Sequence, residues 1–543
     1  MPQLLHKNQK YFNRAQLDAM AINAKHETVV GSRGIGKSEG FDARRMLENI
    51  FSMPRSVGGL LSPTYAKLLQ NTLPAVAAAL ERWGFKRDVH YVIGSKPSKK
   101  LCFRTPLINP FSYDHVMAWF NGSIINLISF DRAMSANSMS LDYLMGFEAK
   151  YLDYQKIINE ANQANRGKRP QFEKCHLHHG TYYSTDMPTS KMGMWVLDNE
   201  KKMDPELINL IKALFAELAF YKNKNSRTEY TKRKIIDIRN ELSELRKIAF
   251  YYGEYNILDN IELVGADWIA QQKRDLPALV FQTSILNKRI FKRANGFYSA
   301  LDDKIHFYTA DNTSYFEKLD YNLQEAAKYS SLGDADLIND IPLSIAFDYN
   351  AAISSMCVGQ SVDRSLRTNK SLFVKTPAKL QELVQAFCGY YRTRINRDVI
   401  FYYDSTAIHT SATSSESFRD IVIRILIENS WDVRDVYVGN PMRHEEKHTI
   451  IDLALKGDGR YLFPQFNLFN NEYLKLAMEQ AGVKVGRNGF EKDKAMEKLD
   501  DSIDFPDEQK THITDAWDTL YIGCNFYPVD LLSSMPPANW NSK

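Results

Sequence analysis

The chain has 543 residues, of which 44% are hydrophobic and 25% are charged, and its formal net charge is +4. This length favours two to four domains, and the composition is typical of a globular protein with sizeable cores. A charge of +4 is compatible with nucleic-acid binding but does not by itself indicate it.

Targeting signals and disulfides are not indicated by the sequence. The amino-terminal stretch MPQLLHKNQKYF lacks the apolar core of a signal peptide, and the apolar runs are shorter than a membrane span. The five cysteines are widely spaced without a C-x-x-C pair, which favours reduced thiols. We therefore expect a cytosolic protein.

A glycine-rich segment follows a predicted strand that ends near Val30 and precedes a predicted helix from Lys37. Its spacing, G-x-x-x-x-G-K-S, is that of the phosphate-binding P-loop. Lys37 would reach the β- and γ-phosphates of ATP, and the Ser38 hydroxyl would be a ligand of Mg²⁺. The helix N-terminus adds a favourable dipole. The predicted nucleotide-binding residues are Gly31, Ser32, Arg33, Gly34, Ile35, Gly36, Lys37 and Ser38.

Gln16 lies upstream of the strand that leads into the P-loop. A side-chain amide at this position can both donate to and accept from adenine, so Gln16 is a candidate for base recognition. The alternative is an ordinary residue of a surface helix.

A second apolar run ends in Gly146-Phe147-Glu148 and predicts a strand closed by an acid. Glu148 would polarise the water that attacks the γ-phosphate. The usual pattern has Asp before this Glu, in the Mg²⁺ shell, whereas this chain has Phe147. Asp142 cannot replace it, because five residues of strand span roughly 17 Å. Either Ser38, phosphates and water hold the metal alone, or another acid reaches in.

Ser184 and Thr185 end the next predicted strand. Hydroxyls at this point could sense the γ-phosphate and pass on the nucleotide state, and the alternative is plain strand-end hydroxyls. The preceding Cys175 and His176, His178 and His179 lie on a predicted strand with alternating faces, which argues against a zinc site.

The middle of the chain is predicted to be helical over residues 203–260 and to form a connecting region over 261–340. Charges of both signs alternate from Arg227 to Lys247, which is typical of a solvated face, although the basic residues could also touch DNA phosphates. The predicted organisation is a P-loop ATPase core at 1–200, a helical ATPase subdomain and linker at 201–335, and a second α/β domain at 336–543.

From Ile341 the pattern predicts the order β-β-β-α-β-α-β, with Asp348 and Asp404 closing the first and fourth strands. Asp515 lies on a late helix and shares its face with Asp518, so either could be a third acid. Phosphodiester hydrolysis by two metal ions requires several converging carboxylates. This order predicts an RNase H-like nuclease with Mg²⁺ or Mn²⁺ on Asp348, Asp404 and Asp515.

Nearby residues could assist this second site. His512, one turn before Asp515, could orient the attacking water or could simply be a polar residue at a helix start. Lys492 and Lys494 are candidates for substrate phosphates, with a solvated charge run as the alternative.

A P-loop ATPase followed by an RNase H-like nuclease in one chain resembles the large terminase subunit of tailed bacteriophages. The motifs that carry the resemblance are Ser32-Arg33-Gly34-Ile35-Gly36-Lys37-Ser38, Phe147-Glu148-Ala149, Ser184-Thr185, Asp348, Asp404 and His512-Ile513-Thr514-Asp515-Ala516-Trp517-Asp518. They cover roughly residues 10–525. The resemblance implies that Arg33 acts at the γ-phosphate, that Ser184 and Thr185 couple hydrolysis to movement, and that the protein packages viral DNA and cuts the concatemer.

The resemblance also implies partners and a location. These are double-stranded DNA, the portal protein of the procapsid, a small terminase subunit and a homo-oligomeric ring, in the host cytoplasm, away from any membrane and absent from the mature virion. The alternative functions are a helicase or repair-type DNA translocase with an appended nuclease, a nucleotide-gated DNA-binding protein with weak ATPase activity, and a structural virion protein.

Overall fold

The chain folds into two compact units. The computed structural model describes residues 11–131, 139–189, 191–224, 228–277, 280–290, 296–349, 353–376, 378–408, 416–486, 489–493 and 512–529. The first unit draws on residues 1–273, 280–290 and 312–328, and the second on residues 274–279, 291–311 and 329–543.

The first unit is built on an eight-stranded sheet with the strand order β3-β4-β5-β2-β6-β7-β1-β8. Its strands are β1 (His26–Gly31), β2 (Val57–Ser62), β3 (Tyr91–Ile93), β4 (Val116–Trp119), β5 (Ile124–Ser129), β6 (Tyr143–Phe147), β7 (Gly180–Thr185) and β8 (Phe250–Tyr255). The pairs from β5 to β8 are all parallel, and only β3–β4 and β4–β5 are antiparallel. The central strands are buried over nearly their whole length, which is why they read as continuous apolar runs.

Helices cover both faces of this sheet. The longer ones are α1 (Arg14–Ile22), α2 (Arg44–Ser52), α3 (Leu73–Arg82), α4 (Pro205–Asn223) and α5 (Glu229–Ile248), and α6 (Ala266–Asp275) carries residues of both units. A wide π-helical segment, Lys37–Ala43, leads directly into α2. Two apolar cores lie on opposite faces of the sheet, one centred on Val29 and Phe41 and the other on Val30 and Tyr183.

The second unit contains a seven-stranded sheet with the order β14-β13-β10-β11-β12-β15-β9. Its strands are β9 (Phe307–Tyr308), β10 (Leu343–Asp348), β11 (Ile353–Val362), β12 (Ser365–Lys375), β13 (Asp398–Tyr403), β14 (Asp432–Tyr437) and β15 (Phe463–Asn467). The first three long strands pair antiparallel, and β13 and β14 add in parallel beside β10. β10 therefore lies at the centre of the five strands β12-β11-β10-β13-β14, between an antiparallel and a parallel neighbour.

Helices pack on both faces of the second sheet, and a separate hairpin follows. The longer helices are α7 (Leu380–Tyr390), α8 (Phe418–Glu428), α9 (His444–Leu455), α10 (Glu472–Gln480) and α11 (His512–Phe526). The hairpin consists of β16 (Gly482–Gly486) and β17 (Gly489–Asp493). Helix α11 packs across this sheet: near its start Ile513 O accepts from the Cys357 thiol of β11, and near its end Gly523 packs on Tyr402 of β13.

The predicted fold class, a mostly parallel α/β sheet followed by a second α/β domain, is confirmed. Asn121 and Gly122 lie in the turn that joins β4 and β5 into an antiparallel hairpin. The helical prediction for 203–260 was wrong at its end, because 250–255 form β8 beside β1. The strand predicted from Cys175 starts only at Gly180, after a turn. None of the helices in the described ranges is long and apolar enough to cross a membrane.

The second unit contains a largely buried acid, Asp334, that is not among the predicted site residues. The carboxylate of Asp334 accepts hydrogen bonds from the hydroxyl of Tyr390 at 2.8 Å and from the amide of Asn470 at 2.9 Å. Burial and the negative charge of Asp336 raise the pKa of Asp334 to about 7. The folded protein therefore holds a proton that the unfolded chain releases at lower pH.

We expect this proton to make stability depend on pH. Between about pH 4 and about pH 7 only the unfolded state loses the proton, so the free energy of unfolding falls as pH rises. Asp334→Asn has no such proton to lose, so its stability should not fall in this way. In thermal unfolding of the full chain, the Tm of the variant minus that of the wild type should therefore rise between about pH 4 and about pH 7. Asp458→Asn is the control, because hydrogen bonds from Arg460 lower the pKa of Asp458 to about 2, below this window. A constant Tm difference for Asp334→Asn would contradict the assignment.

Candidate functional site

The P-loop connects the end of β1 to the helical segment that begins at Lys37. Gly34 and Gly36 have φ angles of +84° and +82°, a region that residues with a Cβ rarely adopt. A Cβ at Gly34 would also lie 2.7 Å from the Ile257 side chain. The Lys37 ammonium donates to Gly31 O at 2.6 Å, so it lies folded over its own loop.

Gln16 lies against this loop. Its side chain, 5% exposed, donates to Gly36 O at 3.1 Å and accepts from the backbone N–H of Asn13 at 3.1 Å. A Cβ on Gly40 would approach the Gln16 amide to 2.1 Å, so the two segments pack closely. Gln16 thus braces the P-loop in this structure, and adenine recognition by Gln16 stays a prediction.

Parallel pairing brings three strand ends to the P-loop edge of the sheet. In the register, Val30 of β1 lies opposite Thr185 of β7, and Phe147 of β6 lies opposite Ser184 of β7. The carboxyl ends of parallel strands meet at one edge, so the predicted P-loop, Glu148 and the Ser184-Thr185 pair lie at the same edge.

Glu148 has the left-handed backbone conformation, with φ 53° and ψ 45°. This region is uncommon for residues other than glycine, and residues strained in this way concentrate at functional sites. Burial raises the pKa of the Glu148 carboxyl, and the negative charge of Asp186 raises it further, against the opposing charges of Lys37 and Lys150. A carboxylate with a raised pKa is suited to accept a proton from water.

Asp186 anchors a charged network next to Glu148. Its buried carboxylate pairs with the ammonium of Lys150 at 2.7 Å and with the guanidinium of Arg33 at 3.9 Å. Burial favours the neutral acid, but Lys150, Lys37 and Arg33 hold the pKa of Asp186 below its usual range. The Arg33 side chain is 54% exposed, so its guanidinium lies at the solvent-facing side of this network.

Ser184 and Thr185 contact the segments on either side of them. The Ser184 hydroxyl donates to Asp42, which lies in the helical segment that follows the P-loop. Thr185 Oγ1 accepts from the backbone N–H of Lys150, two residues after Glu148. The pair is buried, at 2% and 0% exposure, and therefore joins the P-loop helix to the Glu148 turn.

The donors at this edge fit Mg²⁺. The Ser38 hydroxyl and the carboxylates of Asp42, Glu148 and Asp186 are hard oxygen groups, which Mg²⁺ prefers. The Lys37 ammonium and the helix start suit phosphate. Together these groups could bind a nucleoside triphosphate with its metal and position water for attack on the γ-phosphate.

In the second unit, Asp348 ends β10 and Asp404 directly follows its parallel neighbour β13. Ala346 lies opposite Tyr402 in the register, and continuing it by two residues places the two acids side by side. Burial raises the pKa of the Tyr349 hydroxyl, and the negative charges of Asp404 and Asp348 both add to this shift, so both carboxylates lie near one ring.

Asp515 and Asp518 are bound by a lysine from the hairpin. The Lys492 ammonium lies 2.8 Å from a carboxylate oxygen of each and also contacts the hydroxyls of Tyr298 and Thr514, at 3.0 and 3.1 Å. Burial disfavours its charge, yet the two carboxylates hold the pKa of Lys492 well above its usual range. Lys492, a candidate for substrate phosphate with a solvated charge run as the alternative, is thus fully buried, and Lys494 lies outside the described residues.

A cleft of about 750 Å³ in the second unit is lined by Asp404, Lys447 and Asp518. Asp518 is fully buried and accepts from the Tyr298 hydroxyl at 2.6 Å, whereas the Asp515 side chain is 20% exposed. Within the described ranges, no three His, Cys, Asp or Glu side chains converge closely enough to hold a metal ion. The structure therefore pairs Asp348 with Asp404 but shows the third acid engaged by Lys492.

Some residues of both sites were not predicted from the sequence. Asp186 directly follows Ser184-Thr185, and Asp42 lies one helical turn after Ser38, so both positions carried a usable signal. Tyr298 and Lys447 come from distant parts of the chain and reach Asp518 only through the tertiary fold.

Comparisons with known proteins place phage terminases among the structural matches. No family model and no curated protein matches the chain. The large terminase of a thermophilic bacteriophage, also solved with ATP-γ-S, matches with 11% identity and a TM-score of 0.37 over 94% of this chain and 98% of that one.

Two further phage terminase structures also match at low sequence identity. The large terminase ATPase domain of Thermus phage P74-26 has 14% identity and a TM-score of 0.29, over 51% of this chain and 92% of that one. The HK97 bacteriophage large terminase has 10% identity and a TM-score of 0.25, over 95% of both chains.

The Lys492 cluster gives a testable expectation for stability. Lys492→Met removes the ammonium that lies 2.8 Å from both carboxylates and leaves the fully buried Asp518 with only the more distant Lys447, at 3.4 Å, which should lower the free energy of unfolding by about 3–5 kcal/mol. Lys456→Met is the matched control: Lys456 pairs with Asp452 one helical turn away, but its side chain is 62% exposed, so the loss should stay below about 1 kcal/mol. Urea unfolding of the full chains measures both values. Equal, small losses would contradict a structural role for Lys492.

Proposed function

We propose that this protein is an ATP-driven motor that moves double-stranded DNA into a viral procapsid, and that its second unit is a metal-dependent endonuclease. The observation that carries the motor proposal is the joining of the P-loop, Glu148 and Ser184-Thr185 at one edge of a parallel sheet. The order of the two units along the chain, which resembles that of large terminases, supports the DNA-packaging role.

In the proposed reaction, ATP binds at the P-loop and Lys37 exchanges its bond to Gly31 O for the phosphates. Mg²⁺, when bound with ATP through Ser38, would neutralise charge on the phosphates. Glu148 takes a proton from the attacking water onto its carboxylate, and its raised pKa favours this transfer. Arg33, exposed at the end of the Asp186 network, is positioned to contact the γ-phosphate.

Coupling would pass through Ser184 and Thr185. Ser184 contacts Asp42 in the P-loop helix, and Thr185 contacts the turn that holds Glu148. Loss of the γ-phosphate changes the charge next to both segments. A shift of either segment would therefore reach β7 through a direct hydrogen bond.

The nuclease proposal depends on Asp348 and Asp404. Their oxygens are donors that suit Mg²⁺ or Mn²⁺, which would activate water and stabilise the charge that develops on the phosphate. We assign the third position to Asp515 or Asp518, of which Asp518 shares the cleft with Asp404.

The proposed partners follow from the packaging role. They are double-stranded DNA, the portal of the procapsid and a small terminase subunit, with further copies of this chain arranged in a ring. The protein would act in the host cytoplasm and leave before the virion matures.

Replacement of the proposed base tests the ATPase. Glu148→Gln keeps the size of the side chain but cannot accept the proton, so ATP turnover should fall about 10²–10⁴-fold while Mg²⁺-ATP still binds. Glu206→Gln, an exposed glutamate at the start of α4, should retain turnover. Colorimetric phosphate release and equilibrium nucleotide binding measure the two effects. Normal turnover by Glu148→Gln would refute its role as the base.

Plasmid cleavage tests the nuclease. With Mg²⁺ or Mn²⁺, Asp348→Asn and Asp404→Asn should each lose cleavage of supercoiled DNA and retain ATP turnover. Asp458→Asn, which changes an acid of the same unit that pairs with Arg460, should cleave normally. Cleavage that persists in both active-site variants would remove the nuclease from the proposal and leave the ATPase intact.

A further inference from the structure

The nucleotide site lacks an acid at the position where the sequence pattern usually provides one. Phe147 occupies that position, is 3% exposed, and packs edge-on against the ring of Tyr182 at 5.9 Å between centroids. The end of β6 therefore provides Glu148 but no carboxylate before it. A Mg²⁺ ion held only by Ser38 and phosphate would lack the protein carboxylate that such sites commonly use.

A buried carboxylate lies close to this gap. Asp42 follows Ser38 by four residues in the π-helical segment and is 6% exposed. Its Oδ1 accepts from the Tyr182 hydroxyl at 2.7 Å, and the Ser184 hydroxyl also donates to it. Because Tyr182 contacts both Phe147 and Asp42, the carboxylate lies beneath the P-loop helix, on the face of the sheet where Phe147 points.

The charges around Asp42 belong to the nucleotide site. Lys37 favours its ionised form, and the negative charge of Glu148 opposes it. Among the described residues, no Lys, Arg or His side chain forms an ion pair with Asp42. Asp186, its neighbour in this site, differs because it is paired with Lys150 at 2.7 Å.

An ionised carboxylate without an ion pair is costly to bury. Burial accordingly raises the pKa of Asp42 to about 6. The cost falls when a cation arrives, and the cation that a P-loop site receives with its nucleotide is Mg²⁺. Asp42 is thus prepared for a positive charge that the protein itself does not provide.

We propose that Asp42 provides the carboxylate that binds the Mg²⁺ of the bound nucleotide, in place of the acid missing at Phe147. This inference rests on the proposed nucleotide site. It also makes Ser184 a direct neighbour of the metal-binding acid, so that the hydroxyl of the coupling pair would respond to metal and nucleotide together.

The test measures binding rather than turnover. A fluorescent, non-hydrolysable ATP analogue is titrated into the full chain with Mg²⁺ and with EDTA, and the ratio of the two Kd values is the Mg²⁺ preference. We expect Asp42→Asn, which keeps the size of the side chain and an acceptor for Tyr182, to reduce this preference about 10–100-fold. Its affinity in EDTA should remain close to that of the wild type.

Tyr182→Phe is the matched control, because it removes the 2.7 Å hydrogen bond but leaves the carboxylate. It should keep the Mg²⁺ preference of the wild type. An equal loss of Mg²⁺ preference in Tyr182→Phe would show that the packing around Asp42, and not its charge, determines this preference. That result would overturn the proposal. A wild-type preference in Asp42→Asn would also overturn it.

Two further outcomes are distinguishable. A wild-type chain that fails to bind the analogue would refute the proposed nucleotide site itself, whereas normal binding with an unchanged preference in Asp42→Asn would refute only the role of Asp42. Thermal unfolding checks that each variant is folded. If Asp42→Asn does not fold, Asp42→Ser, which also keeps an acceptor for Tyr182, takes its place under the same criteria.

Discussion

Parallel strand pairing is the constraint on which both candidate sites depend. In the first unit, β6, β7 and β1 run in the same direction, so that Glu148, Thr185 and the P-loop meet at one edge. In the second unit, β10 and β13 do the same for Asp348 and Asp404. Antiparallel pairing would have placed these residues at opposite edges of the sheet, roughly 17–20 Å apart.

This constraint also explains why the sequence predicted some residues well and others poorly. The glycine pattern of the P-loop and the acids at strand ends are local features, and their meeting follows from the sheet direction. The role of β8 was missed because an edge strand of six residues, Phe250–Tyr255, follows the long charged helix α5 without a clear break in pattern.

The contacts that depend on several distant segments could not be predicted. Lys492 lies in a charged run, so the sequence offered a phosphate contact or a solvated side chain, both of which require an exposed lysine. In the structure it is buried with the carboxylates of Asp515 and Asp518 and the hydroxyl of Tyr298, which is 194 residues away in sequence. Spacing on α11 correctly placed the two acids on one face, but not the cation between them.

The two buried acids of the nucleotide site illustrate how charge balance separates structural from responsive groups. Asp186 carries its own cation, Lys150, which together with Lys37 and Arg33 holds its pKa below the usual range. Asp42 has only hydroxyl donors, which stabilise a carboxylate less than an ion pair does. In the proposed site, a bound cation would therefore stabilise Asp42 more than Asp186. Since Asp42 also contacts Ser184, the acid proposed to bind the metal is joined directly to β7, the strand between β1 and β6.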